Sequence, residues 1–115
     1  MDAATFFRAL GDDTRLRCLA LLHAEGELCV CELTHALDLA QPKISRHLGQ
    51  LRQAGVVASH RRGTWMHYQL HPDMPAWARA VVDDWAAGCA GAAPYADDLR
   101  ALHAMPDRPE NACCA

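Results

Sequence analysis

At Gly55 the hydrophobic period of this chain changes from that of a helix to that of a strand. Upstream, Ile44, Leu48 and Leu51 recur at intervals of four and three residues, the buried stripe of an amphipathic helix with Pro42 in its first turn. Downstream, from Val56 to Leu70, two extended runs rich in Val, Trp, Tyr and Met flank Arg61-Arg62-Gly63-Thr64, the pattern of a β-hairpin with a basic tip. A helix that buries one stripe and hands over at once to a hairpin leaves few topologies open.

The segments before it narrow them further. Thr5 to Leu10 reads as a short first helix, and Asp12 to Ala24 as a second, with Asp12 or Asp13 as N-cap and Gly26 at its end. A third helix carries Cys29 and Cys31, with Val30, Leu33 and Leu37 as its apolar positions, and should stop near Leu39 before a short turn. Together these predict a mainly α fold, a helix-turn-helix followed by a wing. In the reading helix Lys43, Arg46, His47, Gln50 and Gln53 are left to face outward. The segment from Pro75 to Ala87 carries Trp77, Val81, Val82 and Trp85 on one strongly apolar side, which suits either a dimer interface shared with Phe6 and Phe7 or packing within the chain's own core. The expected organisation is a winged helix-turn-helix domain for DNA binding and dimerisation over 1–87. Residues 88–115 should then hold a linker (88–93), a short helix (95–104) and a disordered, cysteine-containing tail from 105.

A formal net charge of −3 argues against nucleic acid only if the charge is evenly spread, and it is not. None of the fourteen carboxylates lies between Leu39 and Pro72, where Lys43, Arg46, Arg52, Arg61 and Arg62 fall. A basic stripe on an acidic body can still hold a duplex, because phosphate attraction depends on the local field. The start of the chain lacks the basic cluster and apolar run of a secretory signal, and no apolar stretch reaches membrane-spanning length, so a cytoplasmic protein without a membrane partner is expected. In that compartment the six cysteines read as free thiols, metal ligands or redox groups rather than a disulfide framework. Cys18, among Leu16, Leu19, Ala20 and Leu22, belongs to the core. Two thiolates two residues apart, Cys29 and Cys31, suit a soft, thiophilic centre rather than magnesium or calcium. If both stood in a regular helix they would project about 200° apart, so binding one small ion would require the first turn to unwind or bend.

Four stretches in order, Ala9-Leu10-Gly11-Asp12-Asp13-Thr14-Arg15-Leu16, Glu27-Leu28-Cys29-Val30-Cys31-Glu32-Leu33, Gln41 to Leu48, and Gly63-Thr64-Trp65-Met66-His67-Tyr68, resemble the ArsR family of metalloid-responsive repressors, its arsenic-sensing members above all. The likeness covers residues 5–87. It implies a homodimeric repressor of an arsenic-resistance operon that leaves its double-stranded operator when trivalent arsenic or antimony, inorganic or methylated, binds cysteine thiolates. That inducer is the only ligand implied; no permanent cofactor is. The resemblance puts Gln41, Lys43, Ser45, Arg46 and His47 at the groove; by their charge and place at the hairpin tip Arg61 and Arg62 would meet the neighbouring minor groove or backbone, with His47 and His60 as candidate phosphate contacts.

The chain departs from the pattern at one point: such sensors commonly carry a third cysteine three residues after the second, and here Thr34 stands there. Either the third ligand comes from elsewhere, with Cys113 and Cys114 the best candidates, or the inducer is an organoarsenical with two open valences. Zinc-sensing relatives use histidines and carboxylates of the dimer helix, but residues 73–87 hold Asp83 and Asp84 and no histidine. Cadmium and lead sensors add cysteines from an N-terminal arm, and none precedes Phe6. Two alternatives stay open, a thiol-redox repressor and a cadmium- or lead-sensing one. An enzyme is not expected. The residues six after Cys18, Cys29, Cys31 and Cys89 are Ala24, His35, Leu37 and Tyr95, so none of these thiols has the arginine of an anion-cradling reductase loop.

Overall fold

The first two helices of this protein start where a side chain takes up a free backbone N–H. In the computed structural model, which describes residues 1–106 and 108, Asp2 accepts from Thr5 N at 2.9 Å ahead of α1 (Ala3–Leu10). Asp12 does the same for Arg15 N at 3.0 Å ahead of α2 (Asp13–Glu25). Gly26 ends α2 at φ +89°, a region closed to most side chains, and its N–H returns to Leu22 O at 2.8 Å. There follow β1 (Glu27–Cys29), α3 (Val30–Leu37) and α4 (Gln41–Gln53), then the hairpin of β2 (Val57–Arg62) and β3 (Trp65–Leu70). Two further helices close the described chain, α5 (Ala76–Cys89) and α6 (Tyr95–His103).

The helix-turn-helix and wing stand as the periodicity predicts. Asp38, at φ +54°, ends α3 at Leu37, just short of Leu39, and Ala40 caps α4. Ile44, Leu48 and Leu51 are fully buried against the rest of the domain, alongside Phe6, Leu19, Leu33, Val56 and Val57.

Three features differ from expectation. The residues Glu27 to Cys29 form a strand that completes an antiparallel sheet of order β1-β3-β2, with Cys29 opposite His67 and His67 opposite His60. Three residues are too few to show a period, so the strand is visible only through its partner β3. Next, α5 runs on through Gly88 and Cys89, because neither residue breaks a helix already supported by Ala78, Val82 and Ala86 in the core. Finally, α6 packs against α2 and α3. Leu102 is fully buried there, and Asp98, 4% exposed, forms a bidentate pair with Arg17 at 2.7 and 2.8 Å. Residues 95–103 are thus part of the domain body, and the chain expected to be disordered from 105 is still fixed at Arg108, which ion-pairs with Glu25 and Glu32. Among the described residues no helix is long and apolar enough to cross a membrane.

Candidate thiol site and nucleic-acid interface

Cys29 is not a helical residue. It is the last residue of β1 and the N-cap of α3, with extended backbone at φ −85° and ψ 164°. Cys31 lies one residue inside the helix after Val30. The expected opposition of the two side chains across a helix therefore does not arise, and no first turn has to unwind to release Cys29. The junction is braced by Glu32, whose Oε1 accepts from Cys29 N at 2.9 Å in a capping box. Cys29 is fully buried and Cys31 half-buried. Both are disulfide-bonded, whereas Cys18 and Cys89 are free thiols. Burial pushes the Cys18 thiol up to about 12, which makes it an inert core residue. Thr34 is turned back on its own helix, its hydroxyl donating to Val30 O at 2.8 Å. Cys113 and Cys114 lie outside the described residues. Among the described residues no group of three or more His, Cys, Asp or Glu side chains is arranged to hold a metal ion.

Sequence reasoning missed two carboxylates and one arginine around this junction. Glu32 is 6% exposed, and its Oε2 accepts from Arg108 Nε at 2.7 Å. Arg108 Nη2 also donates to Glu25 Oε1 at 2.7 Å, and His103 Nε2 lies 3.2 Å from Glu25 Oε2. Burial works against the Glu25 charge, but the hydrogen bonds from Arg108 and His103 outweigh it and hold the carboxyl below its ordinary value. The signal for Glu32 was present as Cys29-x-x-Glu32, the spacing of a capping box with cysteine in the cap position. No local signal foretold Arg108.

On α4, Gln41, Lys43, Ser45 and Arg46 are exposed. His47 does not join them. It is 7% exposed, turned toward α2, with Nδ1 at 3.3 Å from Arg15 Nη1 and 3.6 Å from Asp12 Oδ2. Position 47 falls on the stripe side of α4, three residues after Ile44, and α2 supplies polar partners there. Burial, reinforced by nearby cationic side chains, lowers its basicity despite Asp12. In the wing, Arg61 and Arg62 are exposed at the end of β2, but Arg62 Nη1 donates to Glu27 Oε2 at 2.8 Å. His60, rather than standing free for phosphate, sits 3.4 Å from Glu27 Oε1 and stacks on His67 at 5.8 Å between ring centroids.

The aromatic residues of α1 and α5 divide between two roles. Phe6 is fully buried, and Trp85 packs edge-on against Tyr95 at 5.5 Å, so both serve the protein's own core. Phe7 and Trp77 are 52% and 42% exposed and lie 6.4 Å apart.

Comparison with known proteins places this arrangement. The model of "bacterial regulatory protein, arsR family" matches residues 12–59. The chain is 59% identical over 76 residues to the arsenic resistance transcriptional regulator ArsR1 of Pseudomonas putida, a match covering 66% of this chain and 59% of that protein. The arsenical resistance operon repressor of Escherichia coli is 51% identical over 78 residues, 68% of this chain and 67% of the repressor. The arsenic resistance transcriptional regulator ArsR2 of Pseudomonas putida is 42% identical over 110 residues, 94% of each chain. Among solved structures, HlyU from Vibrio cholerae has a TM-score of 0.65 at 29% identity, covering 72% of this chain and 86% of its own. The homodimeric winged helix-turn-helix domain of Mb0332 from Mycobacterium bovis has a TM-score of 0.62 at 31% identity, covering 73% of this chain and 77% of its own.

Proposed function

This chain belongs to the ArsR family of bacterial regulatory proteins, and on that premise we propose that it is a homodimeric repressor of an arsenic-resistance operon. In this reading it leaves its operator when trivalent arsenic or antimony binds the thiolates of Cys29 and Cys31. The observation that carries the reading is the position of Cys29, which ends β1 and caps α3 at once. α3 packs on α4, so a ligand that draws Cys29 and Cys31 together moves the helix that braces the reading head. Two thiolates at one strand-helix junction, one extended and one helical, are able to converge where two helical ones are not.

Operator DNA would be held by Gln41, Lys43, Ser45 and Arg46 in the major groove, with Arg61 and Arg62 of the wing on the backbone. His47 supports α4 from inside rather than reading bases. Two copies would meet through Phe7 and Trp77, the apolar patch that the single chain leaves uncovered. Inorganic trivalent arsenic takes three sulfurs, and with Thr34 occupied by its own helix the third is assigned to Cys113 or Cys114. The domain then spans residues 1–103, with the cysteine-bearing C-terminal chain as part of the sensor.

A second reading has one observation behind it, the disulfide-bonded state of Cys29 and Cys31. A thiol-redox repressor would lose operator affinity when peroxide oxidises these thiols, with water as the reduced product. Fluorescence-anisotropy titration of operator release from the reduced protein separates the two. Release by arsenite, methylarsenite or antimonite, with little effect of zinc, cadmium or peroxide, is the expected outcome; release by peroxide alone would replace the metalloid reading with the redox one.

A further inference from the structure

One guanidinium joins α1 to the reading helix. Arg15, in the first turn of α2, donates through Nε to Ala9 O at 2.5 Å and through Nη2 to Arg8 O at 3.3 Å, both carbonyls of the last turn of α1. Its Nη1 reaches Gln50 Oε1 at 2.5 Å and His47 Nδ1 at 3.3 Å, both on α4. Because a guanidinium only donates, the His47 ring accepts at Nδ1. Beside this contact α1 and α4 leave a cavity of about 300 Å³, lined by Thr5, Arg8, Arg15, Gln50 and Gln53 among others. Directed bonds from Arg15, rather than close packing, therefore fix the angle between the two helices at this point.

We propose that Arg15 is a positioning residue for operator binding, which carries the placement of the dimer face to α4 and so sets the spacing of the two reading heads. The proposal deepens the reading of a homodimeric repressor and rests on it. Phe7, on the open face, directly precedes Arg8, and Trp77 of α5 packs edge-on against Phe6 at 5.1 Å. α1 therefore moves with the interface that it helps to form. Phe6, Ala9 and Leu10 bury α1 against the body of the domain, but apolar burial is non-directional and leaves the tilt of a short helix soft. The bonds of one rigid, planar fork to both helices make that tilt stiff.

Half-site spacing is where such a link matters. Each reading helix must enter the major groove a whole number of helical turns from its twin, each turn about 34 Å along the duplex. A tilt of α4 against α1 in one protomer is repeated by symmetry in the other, so the error in separation doubles while each head still fits its own half-site. A lysine at position 15 would keep the charge, but one ammonium cannot reach the carbonyls of α1 and the side chains of α4 together. Gln50 is the α4 end of the link, and its loss leaves the grip of Arg15 on α1 intact.

The test follows anisotropy of reduced full-length protein on the operator, on DNA carrying one half-site, and on operators with one base pair added or removed between half-sites. Arg15→Lys and Gln50→Ala should each weaken binding to the full operator about tenfold, the ordinary worth of one charge-assisted hydrogen bond. Both should bind the single half-site as the wild type does, stay dimeric in sedimentation, keep the log–log salt slope, and discriminate less between correct and altered spacing. The double variant should lose little more than Arg15→Lys alone, because the two side chains act as one link. Equal losses on half-site and full operator would make Arg15 a scaffold residue, and a flatter salt slope would make it a phosphate contact. Unchanged affinity in Gln50→Ala would leave no link through α4, and each of these three results overturns the proposal. Trp77→Glu tells its failure from that of the dimer reading. If that variant stays a dimer, the interface lies elsewhere and the link falls with it; if it is monomeric while the Arg15 and Gln50 variants bind as the wild type does, the link alone falls.

Discussion

At the scale of single residues, position within an element decides what a side chain is free to do. Cys29 and Cys31 are the same residue type two apart, yet one caps a helix from an extended backbone and the other lies inside it. Replacing either with serine keeps the shape and removes the soft ligand. We expect Cys29→Ser and Cys31→Ser to bind operator normally and to lose release by arsenite, read by anisotropy; release at the wild-type concentration in either would remove the pair from the sensor. On α4, Lys43 and Arg46 are exposed while the adjacent His47 is buried. Lys43→Ala and Arg46→Ala should weaken operator binding without changing the melting temperature. Removing one phosphate-neutralising charge should flatten the log–log salt dependence by about 0.9. A falling melting temperature with an unchanged salt slope would place these residues in the scaffold instead.

At the scale of elements, the ends of helices carry much of the order. Asp12 caps α2, and its carboxyl also lies 3.6 Å from the His47 ring, so one residue ties the start of α2 to the underside of α4. Partial burial works against its charge, but the Arg15 N–H bond and the charges of His47 and Arg15 hold its pKa below the ordinary value of 3.8. A lowered folded pKa means that the stability it gives is fully present above the unfolded value and is lost as pH falls through the folded one. Asp12→Ala should therefore cost about 1 kcal/mol near neutral pH. The difference from wild type should vanish as pH falls below the carboxylate range, and denaturant melts at pH 7 and pH 3 check both halves. A cost that stays constant down to pH 3 would assign the effect to helix propensity rather than to the charged cap.

At the scale of the whole molecule, α6 and the α1–α5 face settle how far the domain extends and what it meets. Leu102 is fully buried between α6, α2 and α3. Leu102→Ala should cost about 2–5 kcal/mol, measured as one cooperative unfolding transition. A separate early transition for α6 would instead mark residues 95–103 as an independent appendage. The other face is apolar and open, with Phe7 and Trp77 side by side. Trp77→Glu should leave the monomer folded by circular dichroism but shift its mass in sedimentation to that of one chain. Operator affinity should fall with it, because a winged helix alone reaches one half-site. A dimer undisturbed by that charge would move the interface elsewhere.

The sequence by itself determined the parts that depend on local periodicity and caps. The stripe Ile44, Leu48, Leu51, the Asp12 cap, the Gly26 stop and the hairpin turned by Gly63 are each dictated by residues within a few positions of one another. Family likeness in the residues then supplied the functional frame around Cys29 and Cys31. What depends on distant partners was decided by the tertiary structure alone. β1 exists because β3 offers it a ladder, and that strand takes Cys29 out of the helix. His47 turns inward because α2 presents Asp12 and Arg15 to it, and Trp85 is covered because α6 brings Tyr95 against it. Arg108 meets Glu25 and Glu32 across more than seventy residues of sequence, a meeting made by α6 packing on α3. Local free energy fixes helices, turns and caps, whereas which side chains are covered is a property of surfaces that meet only once those elements have packed.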